Sequence, residues 1–99
     1  MNLPRQLQVG RKLYTVSQVQ CMSRKYSMGH TAYVTKQILI ASKPYTLHRS
    51  YTLVEIEDTF WHELTHAILE EMGSAKYDDE VFVDRFSKRL SKAIRTAKF

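Results

Sequence analysis

The chain is expected to fold as an α+β domain, a small antiparallel or mixed sheet of three or four strands packed on two helices. Three observations lead there. Residues 1–50 are rich in β-branched and aromatic side chains, which suit a pleated, half-buried surface. Residues 52–72 and 79–97 instead repeat their apolar positions at helical spacing. The strand-forming half comes first, and strands followed by helices segregate into a sheet with helices on one face. At 99 residues there is room for one domain, expected to span 1–99.

The elements follow in order. Residues 12–20 (KLYTVSQVQ) read as a strand with imperfect alternation. Gly29 follows a polar stretch and suits a turn. Residues 31–35 and 37–41 read as a second and third strand, with Ile38 and Ile40 on one face and Leu39 on the other. Ser42-Lys43-Pro44 breaks the pattern, and residues 44–51 read as loop. A helix should start near Thr52, because Thr52-x-x-Glu55 fits a capping box, in which each side chain satisfies a free backbone donor. Leu53, Ile56, Phe60, Leu64, Ala67 and Ile68 mark its apolar stripe, and Gly73 is a natural stop. That is a helix of about 30 Å. Asp78 or Asp79 should cap a second helix, with Val83, Phe86, Leu90, Ile94 and Ala97 as its buried stripe.

Composition excludes several classes. Only three Gly and two Pro among 99 residues argue against disorder and low complexity. No apolar run is long enough to cross a bilayer, so no membrane association is expected. The N-terminal residues carry no apolar signal core, and a lone Cys21 cannot form an internal disulfide. Both point to the cytoplasm.

The net charge of +5 suggests an anionic partner, but its distribution is more informative. Residues 1–50 hold eight Lys or Arg and no acid, and residues 85–98 hold six and no acid. All ten acids fall between Glu55 and Asp84, which reads either as chance segregation onto two solvated faces or as acids gathered around something positive.

The chemistry sits on the first helix. His62-Glu63-Leu64-Thr65-His66 is H-E-x-x-H, which places two imidazoles one turn apart on one helix face, within reach of one metal ion. Neutral imidazoles suit Zn²⁺, and Glu63 lies where it can take a proton from a water polarised by the ion. A catalytic zinc site needs a third protein ligand and an open position. Glu70 shares the helix face, but three ligands spread along two helical turns cannot converge on one ion. Cys21, His30 and His48 are alternatives. The best candidate is Glu80, which a turn over residues 73–77 would return beside the His pair. Asp84 follows Glu80 by four, on the same helix face, where it can accept the free ring N–H of zinc-bound His62. Its plainer role is an i,i+4 pair with Lys88.

These residues resemble a known group. H-E-x-x-H followed by E-x-x-x-D, here Glu80-Val81-Phe82-Val83-Asp84, is similar to the gluzincin metallopeptidase pattern. The run from Glu80 through Phe86 and Ser87 to Leu90 resembles a segment of ImmA/IrrE-type peptidases and minimal gluzincins. The blocks T-F-W-H-E-L-T-H-A-I-L (59–69) and D-E-x-F-V-x-x-F-S-K-R-L (79–90) look like those of short phage-encoded proteins. The resemblance implies a zincin-like fold, zinc on His62, His66 and Glu80, and Glu63 as general base. It also implies that Gln37–Ala41, with Ile38, Leu39 and Ile40, is the edge strand that aligns a peptide or protein substrate. For a phage protein, the compartment would be the host cytoplasm. Two features depart from ImmA/IrrE-type proteins: an N-terminal helix and a DNA-binding domain both lack a counterpart in the sequence. Tyr33, Tyr77 and His48 are the candidates to stabilise an oxyanion.

Two other functions compete with peptide hydrolysis. A zinc-stabilised protein-binding module would use the same ligands without turnover. A nucleic-acid binder would lay Arg85, Lys88, Arg89, Lys92, Arg95 and Lys98 on phosphates. A solvated helix face with charges matched to the helix dipole accounts for that run more simply.

Overall fold

The computed structural model describes residues 2–22, 28–44 and 49–99. Strands β1 (Gln6–Val9) and β2 (Lys12–Val19) form an antiparallel hairpin with Gln6 opposite Thr15. Its turn passes through Gly10 at φ +59°, a left-handed conformation that costs glycine little. Strands β3 (Gly29–Ala32) and β4 (Gln37–Ala41) complete a four-stranded mixed sheet in the order β1-β2-β4-β3. Strand β4 runs parallel to β2 and antiparallel to β3. The α+β class expected from the sequence is the observed one.

The strands differ from expectation at three places. The four-residue β1 was not anticipated, because its brevity gives too little alternation to read; pairing with β2 holds it. Gly29 lies within a strand rather than at a turn, and the strand expected over 31–35 ends at Ala32. The third difference bears on function. The expectation that β4 is a sheet edge is wrong: β2 and β3 pair with its two sides. Ile38 and Ile40 are wholly buried and Leu39 is half-buried. The uninterrupted apolar run Ile38-Leu39-Ile40 signals a central strand, covered on its core face and flanked on both sides. Among the described residues, β3 is the outer strand beside β4.

Helix α1 (Leu53–Glu71) starts as its capping box dictates. Thr52 Oγ1 accepts from Glu55 N, and Glu55 Oε1 accepts from Thr52 N at 2.8 Å. Phe60, Leu64 and Ala67 meet Val9, Tyr14, Val16, Ile38 and Ile40 in the core. Leu53 and Ile68, expected on that stripe, are exposed because they lie at its margins. A 3-10 turn (Ala75–Asp78) follows Gly73, which sits at φ +73°. Helix α2 (Glu80–Thr96) is capped by Asp79, whose Oδ1 accepts from Phe82 N at 3.0 Å.

Helix α1 lies between the sheet and α2, and this layering corrects the stripe expected of α2. Because α2 packs chiefly on one neighbour, it buries a narrow line. That line is Val83, Ser87 and Ser91, with Leu90 half-buried. Phe86 is 49% exposed, Ile94 is 48% exposed, and Ala97 lies outside the helix as its exposed C-cap. The two buried serines have little bulk, so the helices approach closely.

Candidate metal centre

Helical spacing brings the His62 and His66 rings to 4.9 Å, edge to face. The return through the 3-10 turn places Glu80, the first residue of α2, against both. Glu80 Oε2 lies 3.1 Å from His62 Nε2, and Glu80 Oε1 lies 3.1 Å from His66 Nε2. The two Nε2 atoms are 3.2 Å apart. Ligands about 2.05 Å from a tetrahedral ion stand about 3.3 Å from one another, so these separations suit one small ion.

Ring orientation supports the same donor set. His66 Nδ1 lies 2.6 Å from the Tyr77 carbonyl oxygen, which can only accept, so Nδ1 carries the proton. His66 Nε2 then presents a lone pair. His62 Nδ1 faces Asp84 Oδ1 at 3.6 Å, long for a hydrogen bond but close enough for electrostatic orientation. With lone pairs on both Nε2 atoms beside the carboxylate, a cation among them would offset their mutual repulsion. His62, His66 and Glu80 could therefore bind a metal ion, with donor atoms all within 4.8 Å of one another. The side chain of His66 is 7% exposed and that of Glu80 is 70% exposed, so solvent reaches the cluster from the α2 side. Such an opening suits a site with a free coordination position.

Glu63 is not part of this donor set. It is 8% exposed, and Thr31 Oγ1 on β3 donates to it, 2.7 Å from Oε1 and 3.0 Å from the Glu63 carbonyl oxygen. Glu63 lines a cleft of about 670 Å³ together with the His pair, Glu80, Asp84, Tyr33 and Tyr77. Met28 and the β3 residues Gly29, His30 and Thr31 line it as well. Tyr33 packs edge to face on Tyr77 at 5.7 Å. Burial, with the Glu63 charge adding to it, pushes the Tyr33 hydroxyl up to about 12, so it stays protonated at neutral pH.

The other residues weighed for the metal are not brought to it. Cys21 is exposed and outside the cluster. His30 lines the cleft but contributes no donor. Glu70 accepts from Lys12 Nζ at 3.1 Å. His48 lies outside the described residues. Asp84 pairs with Lys88, whose Nζ is 3.2 Å away, and also faces His62 Nδ1 at 3.6 Å, beyond hydrogen-bond length. Sequence reasoning missed Thr31, Gly29 and the Tyr77 carbonyl. Only the first two are side-chain choices a sequence records, and nothing local links them to a helix 30 residues on.

Comparison with protein-family models, curated proteins and solved structures finds no match to this chain. The functional reading therefore rests on the residues and their geometry.

Proposed function

We propose that the protein is a zinc-dependent metallopeptidase of gluzincin type. The observation that carries this is the convergence of His62 Nε2, His66 Nε2 and the Glu80 carboxylate in an open cleft that a second, buried carboxylate, Glu63, also lines. Two imidazoles and one carboxylate are a donor set suited to Zn²⁺, and the exposed side supplies the open position. When bound, the ion would act as a Lewis acid toward water and the peptide carbonyl.

The chain's own residues do the rest. Glu63 takes a proton from the attacking water and returns it to the leaving amine. Tyr33, protonated at neutral pH, places an O–H donor on the cleft wall, where negative charge on the carbonyl oxygen would develop. Strand β3, which ends the sheet among the described residues and lines the cleft, would align an extended peptide along the site. This assigns substrate alignment to residues 28–31 instead of to β4.

The test compares zinc-loaded wild type with Glu63→Gln on a degenerate peptide mixture, read by mass spectrometry. The variant should bind zinc as wild type does and release no products. Wild type that yields no product above the variant contradicts the peptidase reading and favours a zinc-stabilised binding module.

A further inference from the structure

We propose that Thr31 is a positioning residue that fixes the Glu63 carboxylate for the reaction above; the inference rests on that reading. The hydroxyl of Thr31 reaches two parts of Glu63 at once, Oε1 at 2.7 Å and the carbonyl oxygen at 3.0 Å. It thereby ties the carboxylate to its own backbone, across torsions that would otherwise let the head group swing. Both residues are buried, at 7% and 8% exposed, so water competes little for this hydrogen bond.

A second contact comes from the same face of the strand, two residues earlier. A Cβ built on Gly29 would lie 3.0 Å from Glu63 Cγ and 2.7 Å from Thr59 Cγ2. The strand backbone is thus seated against the stem of Glu63 while Thr31 holds its head. Thr31 itself is anchored, because β3 pairs with the buried β4 with Thr31 opposite Ile38. Neither Thr31 nor Gly29 belongs to the donor set, so their effect on Glu63 is separable from metal binding. Strand β3 would then do two things: it lines the cleft that would receive the substrate, and its inner face holds the base. A shift of about 1 Å in such a group is enough to cost about a hundredfold in rate.

The test uses the full chain loaded with zinc and acetohydroxamic acid as probe. That probe chelates the metal and hydrogen-bonds to a carboxylate held beside it. Thr31→Val keeps the β-branched shape without the hydroxyl, Thr31→Ala removes the hydroxyl without adding bulk, and Thr31→Ser keeps it. Zinc affinity, by competition with a chromophoric chelator, should stay within about twofold of wild type in all three, since no donor is touched. Hydroxamate affinity, by calorimetry, should fall about tenfold in Thr31→Val and Thr31→Ala, the scale of a lost charge-assisted hydrogen bond, and should be kept in Thr31→Ser. Cleavage of the peptide mixture should follow the same order, through kcat and not KM. If either hydroxyl-free variant folds and binds hydroxamate as wild type does, the role of Thr31 is overturned and the peptidase reading stands. If wild type binds no zinc, the peptidase reading fails and this inference fails with it.

Discussion

At the scale of the residue, the two imidazoles of the candidate metal set each face a polar group outside that set. The Tyr77 carbonyl fixes the tautomer of His66, and Asp84 faces the outer nitrogen of His62. Partners of this kind raise ligand basicity and hold the ring plane, and their loss commonly costs 10–100-fold in metal affinity. Asp84→Ala should therefore weaken zinc binding by about tenfold, measured by chelator competition. Glu80→Ala should weaken it further, because a donor itself is removed. The His pair and Glu63 were legible in the sequence because helical spacing alone places them. Glu80 was legible because Gly73 and Asp79 bracket a return too short to lead elsewhere. Thr31 was not, because its contact to Glu63 depends on how one strand is set against one helix, and no periodicity within either element encodes that.

At the scale of the element, caps and packing faces decide where the site stands. The Thr52–Glu55 box fixes the start of α1, and Thr52→Ala should cost about 1 kcal/mol in urea unfolding. Glu55 is held below its usual carboxylate range, first by the Thr52 backbone N–H and then by Arg49. A carboxylate depressed in the folded state stabilises above its unfolded value and loses that contribution as pH falls through the folded one. The melting-temperature advantage of wild type over Glu55→Gln should thus be present at neutral pH and disappear on acidification through that range. On α2 the sequence pattern misled, since Phe86 and Ile94 keep helical spacing yet face outward. Apolar spacing reveals a stripe but not which neighbour covers it, and a helix resting mainly on one other helix buries its small residues instead. Ser87→Leu should cost about 1–3 kcal/mol by overpacking the interface and should weaken zinc binding by displacing Glu80. Phe86→Ser should change stability by no more than about 0.5 kcal/mol.

At the scale of the whole molecule, the segregated charge has a structural explanation. The basic segments and the acidic segment meet in the fold: Lys12 pairs with Glu70, Arg49 with Glu55, Lys88 with Asp84 and Arg95 with Asp58. The charge run on α2 is thus partly spent within the chain, with Lys88 and Arg95 engaged. Such solvent-exposed pairs contribute about 0–1 kcal/mol each, so they organise charge more than they hold the fold. Among the described residues, no helix is long and apolar enough to cross a membrane. A metal held by His62 and His66 of α1 and Glu80 of α2 would bear on stability far more. Binding at a hundredfold excess over Kd adds about 2.7 kcal/mol, on the order of 10 °C in melting temperature for a chain of this size. The most direct test is thermal unfolding of wild type, His62→Ala and Glu80→Ala, each with zinc and with chelator. One zinc per chain and a rise on the order of 10 °C in wild type, absent in both variants, is the expected result. An equal rise in all three, or none in wild type, would contradict a metal centre built from His62, His66 and Glu80.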